Sequence, residues 1–196
     1  MNIVILGQGN MGAPLAKLAV AAGHSVVTLT SSDSPEQALQ TADLVILAMQ
    51  YQQALDFAAT PGISAVLTGK VVVDITNPLA PDFMSLTVGH TTSAAEEIAK
   101  RLPNAKIVKA FNTVLASILA LHAAGDITTI PVFVAGDDAT AKATTGELAR
   151  SFGFTVINAG ALSNARYLEP MTEMMIHLGY GLGHGDKIGF ALVKAV

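Results

Sequence analysis

The chain has 196 residues, a net charge of −4 at pH 7 and no cysteine. These values exclude disulfide bonds, thiolate chemistry and cysteine metal sites, and no basic run indicates nucleic acid as a partner. Because 51% of the residues are hydrophobic and 13% are charged, we expect an oligomer or an apolar cleft. No apolar run reaches the roughly 18 residues of a membrane helix. No signal peptide is recognisable, so we expect a cytoplasmic protein with no membrane partner.

Seven short apolar runs follow one another along the chain, and they are continuous rather than alternating. Such runs are typical of strands buried on both faces of a parallel sheet. The predicted strands are Ile3–Leu6, Val26–Leu29, Leu44–Ala48, Val71–Ile75, Lys106–Ala110, Val132–Ala135 and Thr155–Ile157. The predicted helices include Met11–Ala22, Ser93–Leu102 and a segment capped by Asp137 or Asp138 that ends at Ser151. This order predicts a Rossmann-type, doubly wound α/β fold with a mostly parallel sheet, as a single domain over residues 1–196.

A glycine-rich turn follows the first predicted strand. Gly7, Gly9 and Gly12 form G-x-G-x-x-G at the start of a helix. The first glycine permits a tight turn, the second lets a pyrophosphate approach the backbone, and the third lets helix and strand pack closely. Free N–H groups at the helix N-terminus, including those of Asn10 and Met11, would face the phosphates. The turn therefore predicts dinucleotide binding.

The end of the second strand normally indicates which nicotinamide cofactor is bound. An acid there holds the ribose hydroxyls of NAD, and an arginine holds the 2′-phosphate of NADP. Here the residues are Thr30, Ser31 and Ser32, whose hydroxyls can donate to a phosphate, and no acid at the strand end repels one. Asp33 follows Thr30 by three residues, and its side chain can point toward the cofactor or away from it. We expect NADP rather than NAD, with a preference about one to two decades weaker than an arginine would give.

Three further predicted strands end in residues that suit a cofactor site. Ligands in open parallel sheets lie over the carboxyl ends of the strands. The predicted cofactor contacts at these ends are Ala48, Met49, Gln50, Asn77, Pro78 and Asn112. Asn77 and Asn112 suit a ribose or a carboxamide, although each can instead cap a helix or hold a turn. Asn112 followed by Thr113 is typical of a helix start.

Residues 160–196 are predicted to form a C-terminal segment for a dimer interface and a substrate pocket. We expect a helix with Pro170 in its first turn, and methionines at helical spacing that pack in the core, at a subunit interface or against a flat ring. These apolar residues are Met171, Met174, Met175 and Leu178. The glycines from Gly179 to Gly189 suggest backbone close to a ligand or to a partner subunit.

No pattern of acids, bases or nucleophiles indicates a catalytic residue, and the five histidines lack metal-ligand spacing. Catalytic residues therefore stay unassigned, and no metal is expected. Hydride transfer to a flavin-like ring mainly requires two stacked rings, whereas oxidation of an alcohol requires a group that accepts the proton.

Six segments together resemble the coenzyme F-420-dependent NADP reductase family. They are ILGQGNMG (5–12), ADLVILAM (42–49), VVVDITNPL (71–79), KAFNTV (109–114), VFVAGDD (132–138) and NAGALSNARYLE (158–169). The resemblance implies a homodimer that transfers hydride between NADP(H) and a deazaflavin or flavin acceptor. DITNPL and KAFNTV are also similar to the cytosolic domain of the six-transmembrane metalloreductases, which pass electrons from NADPH to FAD.

The resemblance also implies roles for particular residues. Gly7–Gly12 would hold the pyrophosphate, Thr30–Ser32 would read the 2′-phosphate, and Met49 would lie near the ribose. Asn112 falls at a pocket position, and Gly179–Gly189 would close over the second ring. Two features depart from the family pattern: its basic residues after the second strand are missing, and the segment before Asp43 leaves little room for the usual helix and extra strand.

Two other functions stay open. One is a small-molecule dehydrogenase or imine reductase of the pyrroline-carboxylate reductase type, although such enzymes usually carry a larger helical domain than the 36 residues that follow Gly160. The other is a non-catalytic dinucleotide-sensing module. A flat apolar slot beside the nicotinamide favours the flavin or deazaflavin reductase. A polar pocket with an acid or base favours the dehydrogenase, and a closed slot favours the sensor.

Overall fold

A computed structural model describes residues 1–126 and 129–195, and in them seven strands form one sheet in the order β2-β1-β3-β4-β5-β6-β7. The strands are β1 (Asn2–Leu6), β2 (Ser25–Leu29), β3 (Leu44–Leu47), β4 (Val71–Asp74), β5 (Lys106–Lys109), β6 (Val132–Gly136) and β7 (Val156–Gly160). All neighbouring strands are parallel except β5 and β6, which are antiparallel. The predicted fold class and the seven predicted strands are confirmed.

Helices cover both faces of the sheet. They are α1 (Gly12–Ala21), α2 (Glu36–Thr41), α3 (Tyr51–Ala59), α4 (Ile63–Val66), α5 (Ala94–Arg101), α6 (Ala116–Ala124), α7 (Ala139–Ser151) and α8 (Ala165–Ile176). A 3-10 turn, Leu162–Asn164, precedes α8, and a π turn, His177–Gly181, follows it. Asp138 caps α7, since its Oδ1 accepts a 2.8 Å hydrogen bond from the Ala141 N–H. It is one of the two residues predicted as the cap of this helix.

The strands are mostly apolar because each face of the sheet packs on its own hydrophobic cluster. In β1, Ile3 and Ile5 belong to the cluster beneath α1 and α6, whereas Val4 and Leu6 belong to the cluster beneath α3 and α5. Successive side chains of a strand point to opposite faces, so a strand covered on both faces needs apolar residues at every position.

The segment before Asp43 holds only the six-residue helix α2, anchored by a single buried residue, Leu39, and no strand lies between β2 and β3, so the expected shortening of this segment is seen in the described residues. One prediction about a helix is wrong. In α8, Pro170 lies inside the helix rather than in its first turn, because the 3-10 turn starts the helical path earlier. The methionine stripe does not face one way, since Met175 is fully buried and Met174 is 55% exposed.

Candidate dinucleotide-binding site

The glycine-rich turn joins β1 to α1 with little free space at two of its three glycines. A Cβ on Gly7, where φ is +116°, would lie 2.1 Å from the Ala48 carbonyl oxygen, and a Cβ on Gly12 would lie 2.0 Å from the Gly7 carbonyl oxygen. Gly9 has open space around it. The packing therefore fixes the turn through its outer glycines and leaves the middle one accessible.

The N-terminus of α1 is arranged to accept an anion. Its cap residue, Met11, supplies no side-chain hydrogen bond to the first N–H groups, and the first turn contains no acid. Unsatisfied N–H groups and the helix dipole favour a negative charge at such an end. Gly9, Asn10 and Met11 are at least partly exposed there. These are the features from which the sequence predicts a pyrophosphate site, and binding at this turn stays a prediction.

At the end of β2, Asp33 turns back onto Thr30. Its Oδ2 accepts hydrogen bonds from the Thr30 backbone N–H and from Thr30 Oγ1, each at 2.7 Å. Because that hydroxyl donates to Asp33, the 2.8 Å bond between Thr30 Oγ1 and Ser32 Oγ has Ser32 as its donor. The sequence leaves the direction of the Asp33 side chain open, and in the structure this side chain points back to the strand end. The bonds from the Thr30 N–H and hydroxyl lower the pKa of Asp33, so the carboxylate is ionised at neutral pH.

The other predicted contacts follow strands that end in register. Leu6 pairs with Leu47, Leu47 pairs with Asp74, and Asp74 pairs with Lys109, so four parallel strands finish side by side. The predicted contacts Ala48, Met49, Gln50, Asn77, Pro78 and Asn112 therefore lie along the same edge as the glycine-rich turn. Gln50 also caps α3, since its backbone N–H donates to Gln53 Oε1 at 3.1 Å.

Asn77 and Asn112 bond directly to each other. Asn112 Nδ2 donates to Asn77 Oδ1 at 3.0 Å, and Asn77 Nδ2 donates to the Asn112 carbonyl at 3.2 Å. The predicted helix start at Asn112 is wrong, because α6 begins four residues later after Leu115. Phe111, fully buried with φ of +60°, turns the chain so that the Asn112 side chain points inward.

The Asn112 side chain connects the end of β5 to α8. Its Nδ2 lies 3.0 Å from the Leu168 carbonyl and 3.3 Å from Thr172 Oγ1. Thr172 Oγ1 in turn donates to the Asn112 carbonyl at 2.9 Å. Asn112 Oδ1, Thr76 Oγ1 and Thr113 Oγ1 are buried without a hydrogen bond from the described residues. Asn112 thus fixes α8 against the strand edge at which a nicotinamide would bind.

A buried charge cluster of Asp74, Lys109 and Glu169 lies beneath the same edge. Lys109 Nζ is 2.8 Å from Asp74 Oδ2 and 2.8 Å from Glu169 Oε1, and it also donates to the Thr76 carbonyl. Glu169 accepts from the backbone N–H groups of Ala94 (2.8 Å) and Ala95 (3.2 Å), at the start of α5. The cluster thus joins β4, β5, α5 and α8.

One ammonium lies between two carboxylates in this cluster, so its charges compensate one another in part. Burial alone would lower the pKa of Lys109, but the neighbouring carboxylates of Asp74 and Glu169 outweigh it and raise that pKa. Burial raises the pKa of Glu169, and the Lys109 ammonium opposes this rise. Sequence reasoning missed the cluster. The available signal was a charged residue at the last position of two neighbouring apolar strands.

The C-terminal segment forms a small, mainly apolar cavity of about 260 Å³. Its lining residues are Met175, Leu178, His184, Ile188, Gly189 and Phe190. Two glycines allow this segment to approach the rest of the chain. A Cβ on Gly179 would lie 2.6 Å from the Gly185 carbonyl oxygen, and one on Gly189 would lie 2.5 Å from Ile130 Cδ1. These glycines therefore mark close approaches within the chain itself. The predicted approach to a ligand or to a partner subunit stays a prediction.

The charged side chains of the described residues do not form a metal site, since no three His, Asp or Glu side chains converge in residues 1–126 and 129–195. In the same part of the chain, no helix has both the length and the apolar character to cross a bilayer.

Three known proteins are similar to the chain. The F-420-dependent NADP reductase of Methanothermobacter thermautotrophicus is 30% identical over 173 residues, which is 83% of this chain and 71% of the relative. A crystal structure from Arthrobacter sp. FB24, provisionally assigned as an F-420-dependent NADP reductase, has a TM-score of 0.85 at 30% identity, covering 99% of this chain and 100% of that one. Metalloreductase STEAP3 of Rattus norvegicus is 30% identical over 182 residues, 86% of this chain and 36% of the relative.

These similarities differ in what they cover. The chain spans little more than a third of the length of the curated metalloreductases that it matches. Imine reductases and pyrroline-carboxylate reductases are 16 or 17% identical, which shows the fold alone. No protein-family model matches the chain.

The resemblance of the six sequence segments is confirmed by a relative and by a solved structure that are each similar over most of their own length. On this basis the chain belongs to the F-420-dependent NADP reductase family.

Proposed function

We propose that this chain is an NADP(H)-dependent oxidoreductase that transfers a hydride between the nicotinamide and a flavin or deazaflavin, F-420-like, acceptor. The observation that carries the proposal is the accessible Gly9 beside the uncapped N-terminus of α1, at the edge where four parallel strands end in register. Related proteins named F-420-dependent NADP reductase support the nicotinamide cofactor and the type of acceptor.

The residues of the site divide into three regions under this proposal. Gly7–Gly12 hold the pyrophosphate, and Thr30–Ser32 contact the adenosine ribose. The residues after β3, β4 and β5, with Asn77 and Asn112 held together by hydrogen bonds, form the surface beneath the second ribose and the nicotinamide. The bound nicotinamide supplies or accepts the hydride, and the protein orients it.

The acceptor is assigned to the C-terminal cavity. Its walls are mainly apolar and include Met175 and Phe190, which suits a flat ring. At about 260 Å³ the cavity lies just below the size range of ligand pockets, about 300–1,000 Å³, so a ring enters it while the rest of the acceptor stays outside.

The charges of the site favour transfer between rings over a dehydrogenase reaction. Asp74, Lys109 and Glu169 lie at or beneath the strand edge, and all three are bonded to one another or to the backbone. A dehydrogenase needs a group that reaches the substrate and accepts its proton. A buried, internally bonded lysine is suited to hold structure rather than to act on a substrate.

We also propose a homodimer in the cytoplasm. Tyr167, Met171 and Met174 follow one another at i, i+4 and i+7 on α8, and Tyr167 and Met174 are more than half exposed. An exposed apolar stripe of this kind suits burial against a second copy, and the same helix carries Met175 of the acceptor cavity.

The proposal is tested by following the oxidation of NADPH and of NADH by absorbance, with FMN, FAD and F-420 as acceptors. Rapid oxidation of NADPH with one ring system would support the proposal. Tight binding of NADPH without turnover on any of the three rings would contradict it and favour a nucleotide sensor. Turnover on cyclic imines alone would favour the imine reductase.

A further inference from the structure

The segment that follows β2 has an unusual charge distribution for a site that binds a 2′-phosphate. No lysine or arginine occurs between Lys17 and Lys70, whereas Asp33 and Glu36 lie within seven residues of the end of β2. A 2′-phosphate at this strand end would therefore meet negative charge from this segment and no cation from it.

The Thr30 and Ser32 donors at the strand end are already in use, whereas the Ser31 hydroxyl makes no hydrogen bond to the described residues. The Thr30 backbone N–H and the Thr30 hydroxyl both donate to Asp33 Oδ2 at 2.7 Å, and the Ser32 hydroxyl donates to Thr30 Oγ1. These are the groups that a phosphate oxygen would bind in the absence of an arginine. The Asp33 carboxylate occupies the two Thr30 hydrogen atoms much as a bound anion would.

The second carboxylate oxygen remains available. Both bonds from Thr30 go to Oδ2, and the described residues donate no hydrogen bond to Oδ1. An ionised carboxylate oxygen at the end of β2 is the group that binds ribose hydroxyls in NAD sites. Asp33 is thus positioned both to accept from an unphosphorylated ribose and to compete with a phosphorylated one.

We infer that Asp33 determines whether this chain prefers NAD(H) or NADP(H). Its carboxylate holds the Thr30 donors that a 2′-phosphate would otherwise bind, so the phosphate adds little to the net free energy of cofactor binding. This inference rests on the proposed dinucleotide site. NADP(H) binds by displacing Asp33 from Thr30, and NAD(H) binds without displacing it. The chain therefore accepts both cofactors with affinities that differ by less than about tenfold.

The test separates the 2′-phosphate from the rest of the cofactor. Binding of ADP-ribose and of 2′-phospho-ADP-ribose is measured by calorimetry, and neither ligand contains a nicotinamide. Asp33→Asn removes the negative charge and keeps an oxygen that can accept from the Thr30 N–H. Asp33→Ala removes the charge and also frees the Thr30 N–H and hydroxyl. Glu36→Gln is the matched control, because it removes one charge from the same segment and leaves the bonds to Thr30 intact.

We expect Asp33→Ala to strengthen 2′-phospho-ADP-ribose binding about tenfold or more and to weaken ADP-ribose binding, with a smaller gain in Asp33→Asn. Glu36→Gln should change the ratio of the two affinities less than either variant. An unchanged ratio in both Asp33 variants would overturn the inference while leaving the dinucleotide site in place. Failure of both fragments to bind the unmodified protein would overturn the site itself and the inference with it.

Discussion

Lys109 Nζ lies 2.8 Å from Glu169 Oε1, and neither side chain reaches solvent. The two residues come from β5 and α8, and the same ammonium also bonds to Asp74 at the end of β4. This contact fixes the strand edge of the proposed site to the helix that carries the acceptor cavity.

Lys109→Met should destabilise the protein strongly. The change removes the ammonium from between two buried carboxylates, and breaking a buried ion pair in this way typically costs about 3–5 kcal/mol. Urea unfolding measures the loss. Lys106→Met is the control on the same strand, since its 3.3 Å pair with Asp138 is partly exposed and is expected to contribute about 1 kcal/mol or less. Equal effects of the two changes would show that the cluster adds no stability of its own.

Gly9→Ala should reduce dinucleotide binding without affecting stability. A Cβ at Gly9 meets no protein atom within 4 Å, yet it would occupy the approach of the pyrophosphate to the backbone. We expect the affinity for ADP-ribose to fall about tenfold or more, with an unchanged Tm. Gly23→Ala should instead lower the stability and spare the binding, because φ at Gly23 is +81° and this residue lies after the C-terminus of α1, away from the glycine-rich turn. It should cost about 1 kcal/mol and leave ADP-ribose binding intact.

Stability should fall in acid partly through Glu96. Arg166 donates to both of its carboxylate oxygens, at 2.6 and 2.8 Å, and these bonds lower the pKa of Glu96. A carboxyl whose pKa is lower in the folded state stabilises it above the unfolded pKa, and the contribution is lost as pH falls through the folded pKa.

Thermal unfolding of Arg166→Met from pH 7 to pH 3 tests this contribution. The variant should melt below the unmodified protein at pH 7, and the two melting temperatures should converge as the pH falls below 4. A difference that stays constant over the whole range would contradict the role of Glu96 in acid sensitivity.

Met174→Lys should disrupt the proposed homodimer. Met174 is 55% exposed on the apolar face of α8, and a charge placed at the centre of an interface must be desolvated without a partner. Sedimentation equilibrium should show a shift toward monomer at micromolar concentration. Val20→Lys, at a similarly exposed apolar position on α1, should leave the mass unchanged. A monomeric unmodified protein, or a dimer that persists in Met174→Lys, would rule out this face.

The parts of the fold that could be predicted are those determined by neighbouring residues. Continuous apolar runs predicted the strands. Asp138 could be predicted as a cap because it lies immediately before the helix α7. The G-x-G-x-x-G turn could be recognised because its three glycines lie within six residues and the contact of Gly12 with Gly7 is local, although Gly7 also packs on the distant Ala48. Fold class follows from these local elements and from the handedness of their connections.

The parts that could not be predicted depend on contacts between distant residues. Asp74 and Lys109 are 35 positions apart, and Glu169 bonds to Ala94 across 75 positions, so no local pattern marks the cluster. Asn112 was expected to start a helix because its local sequence allows that, but Leu168 and Thr172 hold its side chain. Asp33 is a local case that the sequence leaves open, because the rotation of one short side chain decides where its carboxylate lies.

The place of Glu169 in the chain also has a consequence for synthesis. As the polypeptide leaves the ribosome, β4 and β5 emerge long before α8. Lys109 and Asp74 can therefore pair early, while the N-terminus of α5 still lacks the Glu169 carboxylate that accepts its N–H groups. Domains generally acquire their native packing only when the segments that complete them are available. The nascent chain is therefore expected to stay incompletely folded and open to chaperones at its ligand-binding edge until residue 169 has been released.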